Sequence, residues 1–212
     1  HVWDLDFRRH LRDACQAVGE IAPTGLFYPV LDEAPSRLST MPSGPISPVI
    51  DGRMGQGGEG APDEWARAGA LVPDIPSTMQ RSEGTKMREV RYGWCGNDLC
   101  LLVVPSSPTV LPGLEAEVQL TRDGDQDDIV FALALQPEGR VAATCRKGCD
   151  AVRPDMIIAA WDEVLEVSLP IGEWLLSTPT EALILHLGRD GMVEHTFQTT
   201  ALQLPGEGDS DG

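Results

Sequence analysis

From residue 87 onward, short apolar segments alternate with turn residues, and this rhythm limits the folds that the chain can adopt. Within Glu115–Leu120 the apolar residues are Ala116, Val118 and Leu120, every second position. Successive side chains of a strand point to opposite faces, so this pattern predicts a strand with one buried face. Full or partial alternation, or a dense apolar run, predicts strands at Met87–Trp94, Leu99–Val104, Glu115–Leu120, Ile129–Leu135, Val141–Cys145, Ala159–Trp161, Val164–Leu169, Ala182–Leu187 and Met192–Thr199.

Turn residues separate these segments at close spacing. Gly96-Asn97-Asp98 and Arg189-Asp190-Gly191 are typical hairpin turns, and Pro137-Glu138-Gly139-Arg140 marks another. Eight or more short strands with few helices predict a mainly β chain, an antiparallel β-sandwich of jelly-roll or immunoglobulin-like type with a short N-terminal helix.

The N-terminal segment has helical periodicity. A helix is predicted over Asp4–Gly19, because an Asp can cap its start and Gly19 can end it in the left-handed conformation. Its apolar residues recur three or four positions apart and are expected to face a core: Phe7, Leu11, Cys15 and Val18. The polar residues are expected to face elsewhere: Arg8, Arg9, Arg12 and Asp13.

We therefore expect residues 1–25 to be a helical connector, residues 26–205 the β-sandwich domain and residues 206–212 a disordered acidic tail. Within the domain, Ile46–Ile50 is a candidate edge strand, and Asp51 with Gly52 predicts a turn. Arg91 and Glu166 are candidates for a partly buried ion pair between strands. The chain starts at His1 without Met and without a signal-peptide pattern, so we expect a piece of a longer cytoplasmic protein.

The charge is strongly negative and uneven. The 212 residues carry a formal net charge of −17, and residues 107–212 hold 6 basic against 19 acidic residues. Nucleic acid and anionic membrane surfaces attract Lys and Arg patches, so neither is an expected partner. No apolar run is long enough to predict a membrane-spanning helix.

A dense cluster of aspartates adds to this acidity at Asp123, Asp125 and Asp127. Alternate carboxylates in a loop can converge on calcium, which prefers hard oxygen ligands. The cluster does not follow the EF-hand pattern, since Ala134 stands where that loop requires Glu. A solvated hairpin tip explains the cluster better, so calcium is the less favoured alternative and no other cofactor is expected.

Five cysteines are present: Cys15, Cys95, Cys100, Cys145 and Cys149. An odd number without a secretion signal favours reduced thiols. The last four could together hold zinc, but their spacings are wider than the CxxC of finger and ribbon sites, so free thiols are the favoured interpretation.

The order of several motifs resembles glycoside hydrolase family 57 proteins, which act on α-glucans. The opening segment, from Asp6 to Leu11 with Val18-Gly19, resembles the region after their catalytic portion. Their C-terminal β-sandwich module is similar to the following elements: Ile50-Asp51-Gly52, Glu64 to Gly69, Met79, Arg91 to Trp94, Leu99 to Leu101, Val164 to Pro170, Arg189 to Gly191, and Glu194. The pattern is also akin to DOMON-like sandwiches and family 9 carbohydrate-binding modules.

The resemblance implies a non-catalytic accessory domain, because the family's catalytic carboxylates lie in a separate barrel. It departs from the family at Cys95, where members often carry Asp. Such a domain would bind α-glucan or dock on the catalytic domain of its own protein; the alternative is a structural or protein-interaction sandwich without a ligand.

Three tryptophans are candidates for sugar platforms, because a flat aromatic face can stack on a pyranose: Trp65, Trp94 and Trp161. A Trp on a strand is more often part of a core, and Trp65 is first of all expected to anchor its loop. No nucleophile elbow or metal-binding His motif is present, so no catalytic residue is predicted.

Overall fold

The computed structural model describes residues 2–27, 40–54, 63–71, 87–122, 128–148, 156–171 and 180–200. One α-helix, α1, spans Val2–Ala17, and a short 3-10 turn spans Thr24–Phe27. The strands are β1 (Gly69–Leu71), β2 (Met87–Cys95), β3 (Asp98–Pro105), β4 (Glu115–Arg122), β5 (Ile129–Leu135), β6 (Val141–Lys147), β7 (Ile158–Trp161), β8 (Leu165–Leu169), β9 (Thr180–Arg189) and β10 (Met192–Thr200).

The strands form two antiparallel sheets that face each other. Sheet A has the order β1-β2-β3-β8-β7, and sheet B has the order β10-β9-β4-β5-β6. All neighbouring strands are antiparallel. The predicted mainly β, antiparallel sandwich with a short N-terminal helix is confirmed, and all nine predicted strands are present with small shifts at their ends.

The main core lies between the sheets and consists of the inward residues of the alternating strands. β4 contributes Ala116, Val118 and Leu120, as its sequence predicts. Phe131 and Tyr92 are among the largest fully buried side chains there, and the Tyr92 hydroxyl contacts Thr199 Oγ1 at 3.5 Å across the sandwich. Burial of these apolar surfaces is the main term that stabilises the fold.

A second, smaller core covers the outer face of sheet A. β3 is apolar on both faces, and its outward residues Cys100, Leu102 and Val104 pack with Ile46, Trp65 and Val164. The segments 40–54 and 63–71 provide this cover. A strand that is buried on both faces has a continuous apolar sequence, and Leu99–Val104 is such a run.

The edge strand predicted at Ile46–Ile50 is wrong. These residues form no strand; Ile46 instead donates one backbone hydrogen bond to the Trp94 carbonyl, at 2.8 Å, and packs its side chain in the second core. Pro45 and Pro48 lack the N–H that a continuous ladder requires. The strand at this edge is the short β1, which pairs with β2 and was not predicted.

The helix is present, but the side predicted to face the core is wrong. Phe7, Leu11 and Val18 are exposed, whereas Arg8 is only 2% exposed. The helix therefore rests on the sandwich through its arginines. Gly19, with φ of 77°, follows the helix in the left-handed conformation expected of it.

Several predictions fall outside the described residues: the tail 206–212, Asp123, Asp125, Asp127 and Cys149. Among the helices that the structure describes, none has the length and apolarity needed to cross a membrane.

Candidate functional site

A groove of about 530 Å³ lies on the outer face of sheet B. Its floor consists of small residues on neighbouring strands: Ala132 and Ala134 of β5, Ala142 and Thr144 of β6, and Gly188 of β9. These are outward positions of strands whose inward positions fill the core. Because these side chains are short, they leave a concavity above the sheet, in which a ligand could come close to the backbone.

Glu117 and Arg146 project from the floor as a pair. Arg146 Nη1 donates to Glu117 Oε2 at 3.0 Å. The Arg146 side chain is 64% exposed and the Glu117 side chain is 26% exposed. An ion pair this exposed contributes only about 0–1 kcal/mol to stability. Its consequence is chemical, because it places a hydrogen-bond donor and an acceptor side by side in the groove.

His186 lies beside this pair, since it is the register partner of Glu117 on β9. Its Nδ1 is 2.9 Å from Thr196 Oγ1. Burial lowers the pKa of His186, and the nearby charge of Glu117 opposes that effect. The imidazole is therefore neutral at neutral pH, when it offers one donor and one acceptor nitrogen.

One end of the groove is closed by the β9–β10 hairpin. Glu115 Oε2 accepts a hydrogen bond from the Gly191 backbone N–H at 3.0 Å, which ties β4 to this turn. Gly188 meets the Met192 backbone so closely that an added Cβ would collide with its carbonyl oxygen. The strand pairing slips between Val193 and His195, so this end carries a bulge.

The three candidate tryptophans lie in three different places, and none lines the groove. Trp94 is 3% exposed in the main core, and Trp65 is 3% exposed in the second core. Trp161 is half-buried, and its Nε1 donates to the carbonyls of Gln136 and Arg140, both at 3.1 Å. The geometry gives no support to a shared sugar platform.

Trp65 is held by a buried carboxylate, Glu166, which is 1% exposed. Glu166 Oε1 accepts from Trp65 Nε1 at 3.1 Å, and Oε2 accepts from the backbone N–H groups of Asp51 and Gly52, both at 3.0 Å. Burial raises the pKa of Glu166. The three hydrogen-bond donors partly oppose this shift, and the charge of Asp51 adds to it. The carboxylate thus fastens the cover segments to sheet A.

The predicted pairing of Arg91 with Glu166 is wrong. Arg91 contacts Glu89 at 2.7 Å and Asp63 at 3.3 Å instead. Register explains the difference, because Glu166 is the direct neighbour of Leu102 on β3, and Arg91 lies one strand further away on β2. The Asp51-Gly52 turn is confirmed: Asp51 Oδ1 accepts from the Arg53 N–H at 2.8 Å, and Gly52 has a φ of 80°.

The cysteines correct one sequence prediction. Cys145 is disulfide-bonded, so it is not a reduced thiol and does not supply a thiolate to a four-cysteine zinc site. Cys15, Cys95 and Cys100 are free. Burial raises the pKa of Cys100 to about 12, which keeps this thiol protonated and unreactive.

Among the residues that the structure describes, no cluster of three or more His, Cys, Asp or Glu side chains is arranged to hold a metal ion. Calcium at Asp123, Asp125 and Asp127 stays a prediction, because these residues lie outside that part of the chain. Their neighbour Asp128 is described, and its Oδ2 accepts from Gln119 Nε2 at 2.9 Å.

The residues of the groove were not singled out in the sequence. Glu117, His186 and Arg146 stand far apart in the chain, and each reads as the ordinary polar face of an amphipathic strand. The one available signal was the set of alanines at outward positions, Ala132 and Ala134 of β5 and Ala142 of β6, where larger polar residues are more usual.

Comparison with known protein families, curated proteins and solved structures finds no match for this chain. The fold and the groove therefore define its class: an antiparallel β-sandwich with a concave, small-residue site on the outer face of one sheet. The resemblance to glycoside hydrolase family 57 stays a prediction.

Proposed function

We propose that this chain is a non-catalytic accessory domain that binds carbohydrate in the groove on sheet B. The observation that carries the proposal is the combination of an alanine floor with the polar pair Glu117 and Arg146. The volume of about 530 Å³ falls within the range of small-molecule sites, roughly 300–1,000 Å³.

The chemistry of the groove suits hydroxyl groups. A sugar hydroxyl both donates and accepts, and Glu117 accepts and Arg146 donates, while His186 adds a polar ring whose Nδ1 already faces Thr196. The floor at Ala132, Ala134 and Ala142 offers a flat apolar surface against the C–H face of a pyranose. An anionic ligand is disfavoured, because the groove holds Glu115 and Glu117 in a chain of net charge −17.

Within this proposal the ligand is an α-glucan, as the motif order resembling family 57 implies. The domain would hold the polysaccharide near a catalytic domain of the same protein, where the chemistry takes place. The cytoplasmic location expected from the sequence belongs to the same proposal, although the disulfide of Cys145 is more typical of oxidising compartments.

Filling the floor tests the proposal. Ala134→Leu and Ala142→Leu place larger side chains at two exposed floor positions, so we expect the affinity for maltohexaose to fall by about tenfold or more, the equivalent of about 1.4 kcal/mol. Calorimetry measures the affinity, and affinity electrophoresis in glycogen gives a second readout. Leucine is chosen because it fills space without adding an aromatic face for stacking.

The matched control is Ala66→Leu, an equally conservative change at an exposed position outside the groove, among the segments that cover sheet A. We expect its affinity to equal that of the unaltered protein. Glucan binding that survives both groove substitutions, or that is absent from the unaltered protein, would contradict the proposal.

A protein-interaction role is the second candidate, and a specific observation favours it. The outward face of α1 and the residues after it expose Phe7 by 60%, Val18 by 73% and Ile21 by 94%. Contiguous exposed apolar residues often mark an interface with another protein. If the protein binds glucan and Ala134→Leu weakens that binding, the first candidate is favoured. If the protein binds no glucan, and Phe7→Ser abolishes its self-association or its binding to a partner, the second candidate is favoured.

A further inference from the structure

Three arginines of α1 attach the N-terminal arm, residues 2–27, to the sandwich. Arg8 Nη2 donates to the Val193 carbonyl and Arg12 Nη1 donates to the Asp190 carbonyl, both at 3.2 Å. Arg9 Nη2 lies 2.9 Å from Glu194 Oε1. All three acceptors belong to the β9–β10 hairpin, so the arm is docked at the end of sheet B that also closes the groove.

Glu194 is the centre of this attachment. Its side chain is only 3% exposed and contacts two arginines, Arg9 of the arm and Arg189 of β9, the latter at 3.5 Å. A carboxylate this buried is costly to leave without a cation. The helix is therefore held in one orientation, which fixes where the chain that follows it must run.

The chain that follows α1 reaches the groove. Its 3-10 turn contributes Thr24 and Phe27 to the groove lining, next to Met192 and Val193. Phe27 is half-buried, and it is the one Phe, Tyr or Trp among the described residues that line the groove. Val193 serves both structures, since its carbonyl accepts from Arg8 and the residue lines the groove.

We infer that the arm completes the binding site, with Phe27 as its aromatic wall and Arg8, Arg9 and Arg12 as the anchors that position it. This inference rests on the proposed function. A sugar lying on the alanine floor would pack its C–H groups against the ring of Phe27, as aromatic rings do with apolar ligand surfaces. Because ligand and docked arm share this wall, binding of one stabilises the other.

Substitution of Phe27 tests the wall. We expect Phe27→Ala to weaken maltohexaose binding by about tenfold, the equivalent of about 1.4 kcal/mol, and Phe27→Tyr to restore it because the ring is kept. The matched control is Phe7→Ala, which removes the same side chain from the same arm at a position 60% exposed and outside the groove. Its affinity is expected to be unchanged.

Limited trypsin digestion tests the coupling, since Arg9 and Arg12 are cleavage sites within the docked helix. We expect saturating maltohexaose to slow cleavage there in the unaltered protein and in Phe7→Ala, but not in Phe27→Ala. Glu194→Gln, which weakens the hold on Arg9, is expected to speed cleavage and to weaken binding.

The outcomes separate the two proposals. If the unaltered protein binds maltohexaose and Ala134→Leu abolishes binding, while Phe27→Ala and Phe7→Ala bind equally well and ligand protects neither arginine, the groove function stands and the role of the arm is overturned. If the unaltered protein binds no glucan, both are overturned. Loss of affinity and of ligand protection in Phe27→Ala alone, with rescue by Phe27→Tyr, supports the arm as part of the site.

Discussion

At the scale of single residues, Glu166 shows how one buried carboxylate can organise two distant segments. It accepts hydrogen bonds from Asp51, Gly52 and Trp65, which lie more than 100 positions away in the chain. Gly52 is needed at this contact for two reasons: its φ is 80°, and an added Cβ would lie 2.6 Å from the Trp161 backbone. The cover of sheet A thus depends on a few specific polar contacts as well as on apolar packing.

We predict that Glu166→Gln lowers the free energy of unfolding by about 1–3 kcal/mol at mildly acidic pH. The side-chain amide nitrogen is a donor, so it cannot accept from the N–H groups that now face Glu166, and at least one buried donor loses its partner. Urea denaturation followed by circular dichroism measures the change. A variant as stable as the unaltered protein would show that these contacts contribute nothing.

The pH dependence of this difference has a defined sign. Burial raises the pKa of Glu166 in the folded state above its ordinary value of 4.5, so the folded protein binds this proton more readily than the unfolded chain. The carboxyl group therefore makes its full contribution to the free energy of unfolding below pH 4.5, and this contribution is lost as the pH rises through the raised pKa. We expect the stability difference between the unaltered protein and Glu166→Gln to shrink over that range; a difference that grows would contradict the raised pKa.

At the scale of elements, β3 is distinguished by burial on both faces. Leu102 faces away from the main core, yet it is 1% exposed because the cover segments lie over it. The same outer face is bare at the edge of the sheet, where Ile158 of β7 is 56% exposed. A position on the outer face of the sandwich therefore does not by itself decide how much a residue contributes to the stability of the fold.

We predict that Leu102→Ala lowers the free energy of unfolding by about 2–5 kcal/mol, the usual cost of a large-to-small change in a core. The matched control is Ile158→Ala on the same face of the same sheet, where the change is expected to stay within about 0.5 kcal/mol. Thermal or urea denaturation distinguishes the two. Equal effects of the two substitutions would mean that the cover does not protect β3.

The helix shows where periodicity alone misleads. The spacing of Phe7, Leu11 and Val18 correctly predicts a helix, but it gives the wrong docking face. The docking face is set by Glu194 and by carbonyls of the β9–β10 hairpin, which accept hydrogen bonds from Arg8, Arg9 and Arg12. These acceptors lie 178 to 185 residues away, so no local window of sequence contains them.

At the scale of the whole molecule, the net charge of −17 has a consequence for stability. Acidic residues outnumber basic ones about two to one, so the folded chain repels itself more than the expanded unfolded chain does. Salt screens this repulsion, with a Debye length of about 30 Å at 0.01 M and about 3 Å at 1 M. Ion pairs with exposed partners, such as Arg146 with Glu117, contribute too little to reverse the trend.

We predict that the midpoint of thermal unfolding rises as sodium chloride is added at neutral pH. The control is the same titration near the isoelectric point, where the net repulsion has vanished and the dependence should flatten. Differential scanning calorimetry measures both. A midpoint that falls with salt at neutral pH would mean that attractive pairs outweigh the net repulsion.

Much of the fold could be predicted from the sequence, because strand formation follows from local patterns. Strict alternation in Glu115–Leu120, the apolar run of Ile129–Leu135 and the Gly96-Asn97 turn each carry their own signal within a few residues. The sandwich follows because such strands can bury their apolar faces only against another sheet. These features were determined by the sequence itself, and the structure only shifts their ends.

The order of strands, the cover over β3 and the groove were decided by tertiary structure alone. Glu117, Arg146 and His186 become neighbours only because β4 pairs with β9 on one side and lies next to β5, and through it β6, on the other. Trp94 becomes core, while Phe27, in an unremarkable apolar segment, reaches the groove. Local sequence fixes which residues alternate, but the pairing of distant strands fixes which of them meet, and a binding site is made of residues that meet.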